Sequence, residues 1–451
     1  MIALLAACAA FQLNASMLSP VLVVMGKELK ADEVSVSLTQ TAFFTSTALF
    51  GLFLPRLSDI VGRRRVMIAM LLVMVGGAVL AALAPNLTVL LAARAIQGIS
   101  GAIIPVCLIV LRSEVSDPRT YGSLMGIVTA VNGGIAGVDA FAGGYLATNF
   151  GFRSIFWVIA TVGLIAAVLA MAFIPESKPS RDTRMDWPGT ASIVASVLAL
   201  QWAVNEMGKG PSGNWLLIFG LVVFGVAAGL VFWNVEKRVR QPLASPQLLK
   251  QRRTWALVLT TTLTMTGVFA AVNGIAMSIA QNEQVGFGLQ ADTASLWLLT
   301  PYALLGWLVG PFSGRLASTL GYRTILQIGL AGSTLGILVL AMFGTHNVLF
   351  LVGGILLLGI TYAGMGNIML NGLGVVLSPA DNPGFLPGLN SAGFGLGAGL
   401  SFAILPAIQA SFHGSLDGYV FSLMASALIT LCALLVSTLI PKPSDFEVSG
   451  K

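Results

Sequence analysis

One carboxylate in this chain sits where a carboxylate is disfavoured. Asp139 lies well inside a long apolar stretch, whereas Glu206 and Glu236 fall at the ends of such stretches and Glu114, Asp117, Asp292 and Asp417 lie in loops or at edges. An ionised carboxylate at membrane depth costs about 2.5–3.5 kcal/mol on insertion scales, so it pairs, faces water or binds a proton. Arg94 is the lone cation inside an apolar run. At about 1.5 Å per residue, Arg94 lies roughly 12 Å in from Asn86 and Asp139 roughly 15 Å in from Asn149. The two share a depth on neighbouring antiparallel helices, which makes an ion pair feasible. Three roles stay open for Asp139: proton coupling with Arg94 as a switchable partner, a structural bridge or hydrogen bond beside Asn132, or contact with a cationic substrate.

The elements that must position these residues are membrane spans. The chain has 451 residues, 56% of them hydrophobic and 9% charged, with a mean hydropathy of +0.89. Soluble domains carry about 25% charged residues, so this chain cannot cover itself with a wetted surface. A span needs about 20 mostly apolar residues. Fourteen runs qualify: 2–26, 35–55, 66–84, 87–111, 121–148, 153–174, 188–208, 214–235, 254–280, 293–313, 324–344, 347–376, 384–411 and 416–440. With both termini cytoplasmic, 19 of the 24 Lys and Arg residues fall in cytoplasmic loops or the tail, which fixes the expected orientation.

The loop Pro55-Arg56-Leu57-Ser58-Asp59-Ile60-Val61-Gly62-Arg63-Arg64-Arg65 recurs, weakened, 259 positions later as Gly314-Arg315-Leu316-Ala317-Ser318-Thr319-Leu320-Gly321-Tyr322-Arg323. A loop repeated at that distance points to two related halves. Polar linkers, Pro175 to Trp187 and Glu236 to Arg253, set off a central helix pair. The expected fold is an all-α integral membrane protein with 14 transmembrane helices arranged 6+2+6. Its parts are a bundle over 1–174, an inserted pair with linkers over 175–253, a second bundle over 254–441 and a tail over 442–451.

The charge of +6 does not indicate nucleic-acid binding, because the basic residues sit in short loops between apolar runs. Cys8, Cys107 and Cys432 all lie in apolar segments and His346 and His413 in separate loops, so neither a disulfide nor a metal site is expected. Leu5-Ala6-Ala7-Cys8 lacks the basic region and apolar length of a lipoprotein leader. No nucleotide motif or catalytic constellation stands out; Gly393, Gly395, Gly397 and Gly399 precede no phosphate-cradling signature and suit packing or a flexible gate. The chain reads as no enzyme and as having no cofactor. The remaining polar residues in spans are Gln12, Asn14, Asn132, Gln201, Asn273, Tyr302, Tyr362, Asn367, Asn371 and Asn390. Such amides most often join helices to one another.

These motifs resemble the major facilitator superfamily. The loop at 55–65 is similar to its signature between helices 2 and 3. The fourth span reads Leu90-Leu91-Ala92-Ala93-Arg94-Ala95-Ile96-Gln97-Gly98-Ile99-Ser100-Gly101, close to the family's arginine, glutamine-glycine and small-residue motif, here Arg94, Gln97, Gly98 and Gly101. Gly151-Phe152-Arg153-Ser154-Ile155-Phe156-Trp157 resembles the segment opening helix 6, and fourteen helices with a central pair match the 14-helix drug:proton antiporter branch. The departures are Pro55 and Ile60 in the loop, Leu13-Asn14-Ala15-Ser16 where the branch has an early aspartate, and Asp139-Ala140-Phe141-Ala142-Gly143-Gly144 in place of Gly-Pro-x-x-Gly-Gly.

The resemblance implies a conformational latch at Asp59, Gly62, Arg63 and Arg64. It implies a central cavity to which Gln12, Asn14, Asn132, Asn273, Tyr302, Tyr362 and Asn367 are candidates. It implies a monomeric secondary transporter of the cell inner membrane, exporting amphipathic or cationic small molecules against protons, with multidrug efflux and antibiotic resistance as the outcome. The alternative is a proton symporter or uniporter for a small organic metabolite or anion. Partners beyond the substrate, protons and the lipid bilayer are not expected.

Overall fold

The computed structural model describes residues 1–115, 124, 128, 138–177, 184–379, 385–412 and 415–442, and in them helices joined by short loops are the regular structure, with no strand. Thirteen helices among the described residues are long and apolar enough to cross a membrane. We number the helices α1 (Ile2–Leu29), α2 (Glu33–Val61), α3 (Arg63–Ala82), α4 (Leu87–Leu111), α5 (described over 138–150), α6 (Arg153–Phe173) and α7 (Trp187–Met207). They continue as α8 (Trp215–Glu236), α9 (Arg252–Gln281), α10 (Ala291–Ala317), α11 (Tyr322–Gly344), α12 (Val348–Val376), α13 (Phe385–Ala410) and α14 (Leu416–Ser437). With α5 the count is the expected fourteen. Asn132 lies outside the described residues.

Short polar caps delimit the helices. Asp32, Asn86, Asp186 and Asn214 each accept a hydrogen bond from the backbone N–H three residues on, and Asn347 from Leu349 two residues on. This satisfies a donor that would otherwise be orphaned at a helix start. The repeated loop keeps its geometry in both copies. Gly62 between α2 and α3 has φ +118° and Gly321 between α10 and α11 has φ +87°, a region that disfavours any side chain.

Several spans are not continuous α-helix. In α1 the helix ends at Ser16, a 3₁₀ turn follows over Ser19–Val21 with Pro20 in it, and helix resumes at Leu22. In α9 a π turn occupies Ala271–Ile275, and in α12 another occupies Gly359–Gly366. Irregular backbone at membrane depth is tolerated where it is buried in protein or lines a cavity. The 3₁₀ turn of α1 packs on the π turn of α9.

Small residues let α2 pack on its neighbours. A Cβ at Gly98 of α4 would lie 2.3 Å from the Phe43 carbonyl oxygen, and one at Gly101 would lie 2.6 Å from the Thr47 backbone. On the other side of α2, Gly395 and Gly399 of α13 face Ala48 and Thr45, and the Thr41 hydroxyl donates to Gly399 O at 3.2 Å. The rings of Phe44, Phe269 and Phe402 cluster there with centroids 5.1–6.4 Å apart. Without a hydrophobic driving force between helices in lipid, close approach of this kind supplies the association.

Helices α7 and α8 pair with each other, the Ser196 hydroxyl donating to Gly225 O at 2.7 Å. Most of α8 stays exposed, with Leu216, Phe219 and Phe224 pointing outward as a lipid-facing surface would. At the base of the pair, Arg56 of α2 donates to the carbonyls of Arg184 and Gln241, both at 2.8 Å, and to that of Pro242. One guanidinium thus holds both linkers.

Candidate functional site

The polar interior is built around α1. Arg94 is completely buried, and its guanidinium donates to Asn14 Oδ1 at 2.8 Å, Gln97 Oε1 at 2.5 Å and Gln40 Oε1 at 2.7 Å. Its charge also lies over the Phe43 ring, 4.2 Å from the centroid. The oxygens of three amides from α1, α2 and α4 therefore converge on one cation. Their amide nitrogens, Asn14 Nδ2, Gln40 Nε2 and Gln97 Nε2, are buried without a protein partner.

Asp139 is buried with 2% exposure and takes its hydrogen bond from the Ser16 hydroxyl. The same hydroxyl lies 2.8 Å from Gln12 O and accepts from Gln12 Nε2 at 2.9 Å. The second oxygen of Asp139 has no partner. The expected ion pair does not form: Arg94 and Asp139 are absent from the ion pairs among the described residues. Matching depth fixes position along the membrane normal but not around a helix axis. Each group is instead held by its own residue of α1, Arg94 by Asn14 and Asp139 by Ser16, two positions apart where α1 breaks.

The other expected residues divide. Gln12 and Asn14 join this cluster. Asn273 lies in the π turn of α9, its amide donating to Phe269 O at 3.0 Å. Tyr302 packs against Gly359 of α12, one turn from Tyr362, whose hydroxyl contacts Met265 Sδ at 2.8 Å. Asn367 accepts from Asn371 at 3.1 Å, and buried Asn390 is used between α9 and α12, taking the Thr261 hydroxyl at 2.6 Å and donating to Leu370 O at 3.1 Å. Gln40, Ser16 and Phe43 are the members that reading the sequence missed. Gln40 carried the same signal as the recognised amides, a polar residue inside an apolar run.

The loop cluster is braced within its own end of the molecule. Asp59 accepts from Arg63 Nε at 2.9 Å, the Arg63 amide donates to Ser177 Oγ at 2.9 Å, and Arg65 pairs with Glu176 at 3.4 Å. Arg64 donates to Met171 O. A Cβ at Gly62 would lie 2.5 Å from a Glu176 carboxylate oxygen, the movable end of that side chain, so the positive φ is what requires this glycine.

At the opposite end, α1 and α2 meet α9 and α10. Gln281 Nε2 donates to Pro20 O at 2.8 Å, and Lys27 pairs with Glu283 at 2.6 Å on the surface. Half-buried Glu33 lies beside the hydroxyls of Ser278 and Tyr419, which bond each other at 2.9 Å, and Tyr419 accepts from Asn282 at 3.2 Å. Beside them lies a cavity of about 410 Å³.

A multi-pass helical bundle with a buried, amide-lined polar centre and broken spans has the build of a membrane transporter. The chain belongs to the Major Facilitator Superfamily, whose family model matches residues 4–401. It is a secondary transporter of that superfamily and not an enzyme. It is 47% identical, over all of its own length and 95% of the relative's, to the uridine/deoxyuridine transporter of Lactococcus lactis subsp. cremoris (strain MG1363). It is 29% identical to the multidrug resistance protein Stp of Mycobacterium tuberculosis (strain CDC 1551 / Oshkosh), over 84% of this chain and 68% of that protein. Among solved structures, a peptide transporter of the POT type in complex with sulfate matches with a TM-score of 0.72 at 14% identity, covering 97% of this chain and 94% of that one. The nucleoside transporter NupG matches with a TM-score of 0.65 at 12% identity, over 97% and 98% of the two chains. The likenesses to solved structures establish the fold alone.

Proposed function

We propose that this protein transports nucleosides, with uridine and deoxyuridine as its substrate class. The observation that carries the reading is the 47% identity to the uridine/deoxyuridine transporter across essentially the whole of both chains. The chemistry of the interior agrees with a neutral, hydrogen-bonding solute. Arg94 is held by three amide oxygens, and the donors left without a protein partner are the three buried amide N–H groups and the Arg94 Nε–H. Uracil offers two carbonyl acceptors to such donors. This favours the metabolite-carrier alternative over drug efflux.

The transport cycle we propose is alternating access of two six-helix halves, 1–174 and 254–441, around this centre, with 175–253 as the inserted pair. Both termini face the cytoplasm, the protein is a monomer in the cell inner membrane, and the end bearing the α1–α2 turn opens outward. Asp59, Gly62, Arg63 and Arg64 act as the latch on the cytoplasmic side. Asp139 is the proton-coupling group, and Ser16 is what its protonation moves. A serine hydroxyl has one proton to donate. With Asp139 charged it goes to the carboxylate; with Asp139 protonated the acid donates to Ser16, and Ser16 returns to the Gln12 carbonyl. Proton binding would thereby reverse the Asp139–Ser16 hydrogen bond and turn the Ser16 proton to the Gln12 carbonyl, at the end of α1 where the helix breaks.

The test is purified protein in liposomes, with uptake of labelled uridine and 2′-deoxyuridine measured under an imposed pH gradient. Saturable uptake of both, without movement of cationic dyes, is the expected result. Extrusion of cationic dyes with no nucleoside movement would return the efflux reading carried by the more distant multidrug relatives.

A further inference from the structure

The cavity at the α1–α2 end is lined by α1, α2, α9 and α13 and holds about 410 Å³, within the range of 300–1,000 Å³ usual for small-molecule sites. Its polar lining includes Ser19, Lys27, Lys30, Glu33, Ser278 and Gln281. Two features mark it as a site rather than a packing defect. Ser19 is 1% exposed and its buried hydroxyl has no hydrogen-bond partner, although buried hydroxyls are ordinarily satisfied. It belongs to the 3₁₀ turn where α1 is broken. Glu33 lies beside two hydroxyls from helices of the other half, Ser278 and Tyr419, which bond each other at 2.9 Å, and a carboxylate has about four acceptor sites in all. Its remaining capacity is available to the cavity it lines.

The charges narrow the ligand. Lys27 is paired with Glu283, which leaves Lys30 and Glu33, one charge of each sign, as the other charged residues of the lining. A carboxylate with free lone pairs beside an unpartnered hydroxyl suits a neutral polyol, because vicinal hydroxyls can both donate to one carboxylate. An acidic side chain grips ribose hydroxyls in the same way in dinucleotide-binding sites.

We propose that this cavity is an outer vestibule site for the sugar of the substrate, Glu33 accepting the vicinal hydroxyls of a ribose and Ser19 bonding the same ring. The inference rests on the nucleoside reading above and adds a second, sugar-directed site to it. It assigns roles to Glu33 and Ser19, neither of which belongs to the central polar cluster.

Transport kinetics with uridine, 2′-deoxyuridine and 2′,3′-dideoxyuridine test it. A hydrogen bond to a charged group is stronger than one to a neutral group, so Glu33→Gln should raise the uridine KM about tenfold. The maximal rate should hold, and the dideoxy nucleoside, which lacks both hydroxyls, should keep its KM unchanged. Ser19→Ala should raise the uridine KM in the same direction without altering the protein's melting temperature. An equal change for all three nucleosides, or none for any, overturns the assignment. If wild-type protein moves no nucleoside, the proposed function fails and the cavity is judged on its own with methyl β-D-ribofuranoside. Stabilisation of wild type against heat that is lost in Glu33→Gln would support the sugar site; stabilisation of neither, or of both alike, would overturn it.

Discussion

The hydroxyl of Ser16 decides how the buried carboxylate is read. It touches both Asp139 and the Gln12 carbonyl, so under the proposed mechanism the charge on Asp139 sets which of the two receives its proton. Asp139→Asn should therefore abolish stimulation of uptake by a pH gradient while leaving exchange of labelled for unlabelled nucleoside intact; liposome counterflow distinguishes the two. Arg94→Lys is the companion case. A lysine ammonium cannot reproduce the planar fork that reaches three amides from three helices. Leaving buried amide oxygens unmatched costs about 1–3 kcal/mol each, so the variant should show a lower melting temperature by scanning fluorimetry and little transport. Both charged residues were legible in the sequence because an ionisable group inside an apolar run has few benign explanations. Their partners were not. Sequence spacing yields depth through the helical rise, whereas a partner also requires the angle around each axis, which only tertiary packing supplies.

At the scale of the helices, the apolar runs and the polar linkers between them were visible and the interruptions were not. Pro20 gives a reason for the break in α1, since proline cannot donate to the helical ladder. Nothing comparable marks the π turns of α9 and α12, where several glycines and an asparagine only permit the irregularity. The glycines at 62 and 98 were recognised as motif positions, and the structure supplies their separate reasons. Gly98 is a matter of space: a methyl there meets the Phe43 carbonyl, so Gly98→Ala should force α2 and α4 apart and destabilise by about 1–3 kcal/mol, read as a fall in melting temperature. Gly62→Ala combines a positive φ with a contact that makes the end of the Glu176 side chain shift away from Arg65. It should be worse than Gly321→Ala, whose φ is also positive but whose missing Cβ would point into open space. Comparing the two melting temperatures separates strain from crowding.

For the whole molecule, alternating apolar runs and charged loops were enough to give the fold class and the helix count, because a bilayer allows so few ways to satisfy a backbone. What those rules leave out is how the halves touch. Lys27 and Glu283 meet at the end we assign to the outside. The hydrogen bond and charge of Lys27 hold the Glu283 carboxyl below its ordinary range, so the bridge persists in mild acid and is lost only as pH falls through that lowered value. An exposed pair stabilises little. Its worth is as a handle: joining Lys27→Cys to Glu283→Cys with a reducible bis-maleimide should stop uridine uptake, and reduction should restore it.

Arg56 has an implication for how such a chain can be shortened. Its Nη2 nitrogen lies 2.8 Å from the carbonyls of both Arg184 and Gln241, and the Arg184 amide donates to the Gln241 side chain at 2.8 Å. The chain thus leaves the body of the protein and returns to it at nearly the same point, as an excursion does on the flank of a domain into which a module has been spliced. Excising 185–240 and joining Arg184 to Gln241 would close a gap that is already almost shut. The resulting twelve-span protein should insert and retain uridine uptake; loss of uptake would instead place the α7–α8 hairpin in the transport path.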